Sequence, residues 1–188
     1  MYSAGYPIGE IKKLFPQLLE QKYLNYLSKG KDDFTYYGSE PFYGTDEYWE
    51  LLQILALGIL LNADEDSRSK ILYIRDKVPT PDIVLDMLSS YYDGRKVSTN
   101  QLRGNKYNGL VNLILNRFSG DIPQRMSAYL KNKWMKDYKR QGFLTTHDSN
   151  LHVGYWSFES GAIMKILQAD DSILKDQQFY PYDMVHWQ

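Results

Sequence analysis

One stretch limits the fold of this chain more than any other. Residues Gly154 to Leu167 read GYWSFESGAIMKIL and carry two charges in fourteen positions, Glu159 and Lys165. Its apolar residues do not keep to one stripe. Tyr155, Phe158, Ala162 and Ile166 form one line at helical spacing; Trp156, Ile163 and Leu167 form another. A helix that is apolar nearly all round is a buried helix. It is too short to cross a bilayer, which takes about 20 residues. Gly154, Ser157, Ser160, Gly161 and Ala162 are small, so neighbouring helices can come close. The expectation is a single compact all-α bundle of about seven to eight helices around a buried central helix at 153–168.

Glu159 is the exception inside that helix. Its neighbours at three and four residues are Tyr155, Trp156, Ala162 and Ile163. A carboxylate in that setting must find a cation or several donors, or it shifts toward its neutral form. The expected role is structural, tying a neighbouring helix or loop to the core.

The same reading extends along the chain. Pro7 opens a pattern of Ile8, Ile11, Phe15, Leu18 or Leu19, Tyr23 and Tyr26, with Pro16 inside it either as a kink or as a second start. Lys29 to Gly44 reads as a loop, unusually aromatic for one. Thr45 is placed to cap the next helix, with Asp46 and Glu47 in its first turn, and LLQILALGILL follows nearly unbroken. Ser67 to Lys77 predicts a shorter helix. Thr80, Pro81 and Asp82 give a start signal for one that ends at Gly94. Tyr107, Leu110, Val111, Ile114, Leu115 and Phe118 keep helical spacing throughout. Asp121 and Pro123 open a helix whose buried side would hold Ile122, Met126, Tyr129, Leu130, Trp134 and Tyr138, stopping at Gln141-Gly142. Met184 to Trp187 is expected to fold back on the core. The division into an N-terminal part, 1–78, and a C-terminal part, 79–188, packed as one globular unit, completes the expected organisation; 188 residues suit one domain.

Charge is unevenly placed. The net charge is −1, yet Asp32, Asp33, Glu40, Asp46, Glu47, Glu50, Asp64, Glu65 and Asp66 fall within 35 residues that hold no Lys or Arg. Such a run is ordinarily a solvated face. Gathered in space, it would project a negative field that steers a basic partner.

Other chemistries find less support. Cysteine is absent, so no disulfide, thiolate ligand or thiol nucleophile is available, and a reducing compartment fits. The N-terminus has no basic segment followed by an apolar run, so it is no signal peptide. A cytoplasmic location is the expectation. His147, Asp148, His152 and Glu159 could suggest a metal-dependent hydrolase, but the two histidines are five apart with no helical ligand pair. Lys131, Lys133, Lys136, Lys139 and Arg140, interleaved with Trp134 and Tyr138, could suggest a nucleic-acid binder. A solvated basic face is the better reading, because both aromatics fit the buried side. No nucleophile elbow or phosphate-cradling glycine loop occurs. The chain is expected to be no enzyme, to need no cofactor or metal, and to contact neither membrane nor nucleic acid.

The C-terminal third also carries a resemblance. VGYWSFESGA at Val153 to Ala162, then LQADDSILKDQQFYPYDMVHW, resembles the C-terminal signature of the PoNi immunity proteins. The matching residues are Gly154, Tyr155, Trp156, Phe158, Glu159 and Ala162, then Asp170, Asp171 and Ser172, then Phe179, Tyr180, Pro181, Asp183, Met184 and Val185. Ser160-Gly161 stands where small Ala residues are commoner. YSAGYPIGEIKKLF and YWELLQILALGILL are similar to the family's N-terminal part. Family members carry further helical sequence before YSAGY, so the chain is expected to be either naturally short or trimmed. The resemblance implies an antidote to a cognate PoNe-like DNase toxin, often one delivered to rival bacteria. A nuclease face that attracts phosphates is basic, and carboxylates can stand in for phosphates. The expected toxin-binding residues are Asp32, Asp33, Tyr36, Tyr37, Asp46, Glu47, Glu50, Asp64, Glu65 and Asp66, with Phe42 and Tyr43 as further apolar anchors. The alternative surface is the mixed-charge stretch from Arg95 to Lys106. The signature residues Gly154, Tyr155, Trp156, Glu159, Asp171, Tyr180, Pro181 and Asp183 are expected to be structural.

Overall fold

The computed structural model describes residues 1–28, 45–78, 81–101, 107–140 and 154–188, with only the backbone of Thr45, Asp46 and Arg140. Among them the chain is all-α. Its helices are α1 (Ile8–Ser28), α2 (Thr45–Leu60), α3 (Glu65–Asp76), α4 (Ile83–Asp93), α5 (Asn108–Leu115), α6 (Ile122–Asn132), α7 (Trp134–Arg140), α8 (Phe158–Leu167) and α9 (Tyr182–Val185). The excess over seven to eight comes from a break at Lys133 and from the single turn of α9.

The two apolar runs, α2 and α8, pack on each other at the centre. Leu52, Leu55, Ala56, Ile59 and Leu60 of α2 and Ala162 to Met164 of α8 are at most 1% exposed. One continuous core runs from Phe15 to Met184. α1 lies against α3 in the same direction, because Glu20 meets Lys70 and Tyr23 meets Tyr73. α2 runs the other way, which brings its start to the end of α1: Lys22 bonds Glu50 at 2.7 Å. Pro16 sits inside α1 on its exposed side, so the chain continues as one helix.

Caps explain several boundaries. Asp64 starts α3 by accepting the Ser67 N–H at 2.8 Å. The cap of α4 is Asp82, whose side chain accepts the N–H groups of Val84 and Leu85. Pro81 therefore precedes the cap rather than opening the helix, and Thr80 lies outside the described residues. Gly94 closes α4 in the left-handed region, with φ 69.

Three expectations need correction. The central helix begins at Phe158, not at 153. The Ser157 N–H donates to Phe179 O at 2.8 Å, so the backbone there is tied to the C-terminal segment instead of a helical turn. Gly154 lets Ser3 approach, and Ser3 Oγ accepts the Trp156 indole N–H at 2.8 Å. The expected helix from 121 to 141 divides at Lys133, whose φ of −127 leaves the helical region. Trp134 and Tyr138 are still buried. Finally, α5 stops at Leu115, and Phe118 is 85% exposed beneath the Arg117 guanidinium.

Candidate functional site

The described acids of the acidic segment fall at two ends of α2. Glu47 and Glu50 stand in its first turns. Asp64, Glu65 and Asp66 begin α3, past the other end. From Glu47 to Leu60 the helix alone rises about 20 Å. Glu50 is paired with Lys22. Lys70 bridges Asp66 at 2.7 Å and Glu20 at 2.6 Å, and those hydrogen bonds hold its ammonium above the usual lysine range. Asp64 is lowered, first by the Ser67 backbone N–H it caps. Glu65 and Asp66 are exposed. Near the first group, burial and then Glu50 and Glu47 push the Tyr26 phenol up to about 12. Asp32, Asp33, Tyr36, Tyr37, Glu40, Phe42 and Tyr43 lie outside the described residues, as does the side chain of Asp46.

The stretch after α4 lines a groove of about 660 Å³, bounded by Arg75, Asp76, Pro81, Asp86 and residues 95–100. Its floor is a buried ion pair, Arg75 to Asp86 at 2.7 Å. Arg75 also donates to Val78 O. Arg95 bridges Asp93 and Asp76 at the rim, and these bonds lower Asp93. The Ile83 N–H donates to Asn100 O at 2.7 Å, which holds the stretch against the start of α4. Residues 102–106 lie outside the described residues.

The signature residues converge elsewhere, on the packing of α8. Asp171 is 3% exposed and accepts from the Tyr180 hydroxyl at 2.6 Å; its other oxygen lies 2.8 Å from His186 Nε2. Burial and this carboxylate hold the Tyr180 phenol far above its usual value. Gly161 lies under Pro181 and Val185: a Cβ there would come within 2.8 Å of the proline ring. Tyr2 packs edge-on against Trp156 at 4.8 Å, and Tyr155 packs against Tyr138 at 5.3 Å. Asp183 is exposed.

Glu159 is fully buried, with no cationic partner among the described residues. Its Oε1 lies 3.1 Å from the Ser157 hydroxyl, and the Gln53 amide also favours its charged form. Burial outweighs both, and with Asp137 nearby it raises the carboxyl to about 7. The burial of Asp137 near it was not anticipated. The available signal was its position three residues after Trp134, on the buried side of the same helix. Lys131, Lys133, Lys136 and Lys139 are exposed. His147, Asp148 and His152 lie outside the described residues. Among those that are described, no group of three or more His, Asp or Glu could hold a metal ion, and no helix is long and apolar enough to cross a membrane.

The fold thus defines an all-α protein whose described buried polar groups serve its packing, with exposed acids at the start of α3 and exposed lysines on α6 and α7. The family model for the PoNe immunity proteins (PoNi), C-terminal, matches residues 80–184, and the chain belongs to that family. No curated protein and no solved structure matches it. Immunity proteins of this kind are not normally enzymes.

Proposed function

We propose that this chain is an immunity protein that binds a cognate PoNe-like DNase toxin and neutralises it without chemistry of its own, in the bacterial cytoplasm. The observation that carries the reading is the match over residues 80–184. Residues 1–78 would then form the family's N-terminal helical part. That division accords with a match that begins at residue 80.

The proposed contact is the acidic surface. Two features favour the start of α2. Glu47 and Glu50 are only partly buried there. They also continue directly, along the chain, from Asp32, Asp33, Tyr36, Tyr37 and Asp46. Asp64, Glu65 and Asp66 would form a second contact about 20 Å away, a span within reach of a standard interface. Carboxylates placed before a phosphate-binding face exclude DNA and steer encounter. The groove under Arg95 favours a second surface, since a partner seated there could leave DNA binding intact.

Competition separates the two. Catalytically inactive toxin is bound to labelled DNA, and the immunity protein is added. Release of DNA supports occlusion by the acidic surface. A ternary complex with DNA retained, together with lost protection after charge reversal at Arg95 and Lys96, supports the groove. If reversing Glu47, Glu50 and the acids before them leaves association rate and protection unchanged, the acidic surface is not the contact.

A further inference from the structure

The turn from α2 into α3 carries more than acids. Beside it lies a pocket of about 440 Å³ built from three separate parts of the chain. Phe15 and Pro16 come from α1, Leu61 and Ala63 from the turn, and Trp187 from the segment after α9. Phe15, Leu61 and Ala63 are at most 9% exposed, Trp187 is half-buried and Pro16 is exposed. The pocket therefore has an apolar floor and an accessible edge. Its walls are tied together. Asn62 Nδ2 donates to Trp187 O at 3.3 Å, and Asn62 Oδ1 accepts from Lys165 at 2.9 Å.

The polar groups around the pocket are engaged with the chain itself. Lys13 pairs with Glu10 at 2.7 Å. Lys12 Nζ lies 4.9 Å from the centroid of the Trp187 ring. Asp64 caps α3 through the Ser67 N–H. A small-molecule site needs a few polar groups converging on its ligand, and these converge on their own neighbours instead. An anchor side chain from a protein needs none. The strongest contacts of an interface are large apolar or aromatic side chains seated in pockets within a polar rim. On the α3 side the rim is acidic: Glu65 and Asp66 are exposed, and Glu65 has no ion pair among the described residues.

We propose that this pocket receives a large apolar side chain of the toxin, whose flanking Lys or Arg meets Glu65 and Asp66. The proposal rests on the toxin-binding reading above and deepens it. Exposed carboxylates steer encounter and act on the association rate. A filled pocket acts on departure, where most affinity differences between related complexes lie. The far end of α2 thus supplies residence to a contact that the acids supply with speed.

The test uses the full chain and the nuclease domain of the cognate PoNe-like toxin, catalytically inactivated. Gly9 lines the pocket, and a Cβ there would meet nothing within 4 Å. Glycine is also a poorer helix former than tryptophan or alanine. Gly9→Trp therefore plugs the pocket without displacing a neighbour, and Gly9→Ala is the control that leaves it open. The toxin should leave Gly9→Trp at least tenfold faster than the wild type, with an association rate within twofold and an unchanged urea midpoint. Gly9→Ala should behave as the wild type. Unchanged dissociation of Gly9→Trp from a toxin that the wild type binds overturns the anchor and leaves the toxin reading standing. No binding by the wild type brings down that reading, and the anchor with it. A plug that lowers the urea midpoint shows that the chain fills its own pocket, and wild-type self-association abolished by the plug shows that a second copy does; either overturns the proposal. A measurement on the wild type stands beside the variants. Oxidative labelling of Trp187 should fall at least fivefold when the toxin is added, and unchanged labelling overturns the proposal.

Discussion

Every buried acid among the described residues lies inside the family-matched stretch: Asp82, Asp86, Asp137, Glu159 and Asp171. Before residue 80, Glu47 and Glu50 are half-buried in their first turns, and Asp64, Glu65, Asp66 and Asp76 are exposed. The C-terminal part uses its buried carboxylates inside the fold: Asp82 as a helix cap, Asp86 in an ion pair, Asp171 in a knot with Tyr180 and His186, and Glu159 beside Ser157 in the core. The N-terminal part keeps its carboxylates where a partner can reach them. Under the proposed function, burial separates an acid that holds the fold from one that is free to meet a toxin. The two sets should answer differently to the same kind of substitution.

The largest effect is expected at Asp86. Replacing it with Ala removes the carboxylate paired with the buried Arg75 beneath the groove. Removing one partner of such a pair typically costs about 3–5 kcal/mol. Urea unfolding should show that loss. A loss below about 1 kcal/mol would mean that water reaches the pair, and that the C-terminal acids are not internal fasteners in the sense drawn here.

Glu159 comes next, through pH. Its folded carboxyl is raised to about 7 from an unfolded value of 4.5, chiefly by burial. The folded state therefore binds the proton more tightly than the unfolded chain. The associated stability is fully present below about pH 4.5 and is lost as pH rises through about 7. The shift corresponds to about 3 kcal/mol. The difference between wild type and Glu159→Gln across that window isolates it from other titrations, Asp64 and Asp93 among them, which run the opposite way. No narrowing of that difference as pH falls would rule out the assignment.

A smaller loss is expected at Asp171. Asp171→Ala leaves the buried Tyr180 hydroxyl without its acceptor and frees His186. An unsatisfied buried group costs about 1–3 kcal/mol. Protection by the variant should persist wherever the fold persists, because the knot is internal. Thermal unfolding read beside protection in co-expression checks both halves of that statement.

How much of this was legible in the sequence follows the same division. The helices around Leu51–Leu61 and Ala162–Met164 were readable because local periodicity and burial coincide there. The start of α8 was not, since Ser157 is drawn out of the helix by Phe179, some twenty residues on. The break at Lys133 carries no Gly or Pro to announce it. Thr80 looked like a cap because it precedes Pro81. Asp82 takes the role because a fully buried carboxylate can serve Tyr48 and two backbone N–H groups together. Glu159 was visible as an anomaly; the nearness of Asp137 was not, because proximity across helices leaves no local pattern. The acidic run was visible as composition. The separation of its described acids into two groups depends on the length and direction of α2, which only the packing reveals.

The smallest effect on stability should accompany the largest effect on binding, and it is the sharpest test of the comparison. Glu47 and Glu50 reversed to Lys lose one partly exposed ion pair with Lys22. Exposed pairs contribute about 0–1 kcal/mol, so unfolding should hardly change. Association with the toxin should slow by at least tenfold at low salt if these acids steer encounter, with the gap closing as salt screens the field. Reversing Glu65 and Asp66 as a separate set shows whether the far end of α2 belongs to the same contact. Asp64 must be kept or replaced by Asn in that set, since losing its cap on Ser67 costs about 1 kcal/mol on its own. Equal slowing by both sets would mean a field without a defined footprint. Slowing by the first set alone places the toxin at the start of α2. No slowing by either would leave the exposed acids as a solvated face and turn attention to the groove under Arg95.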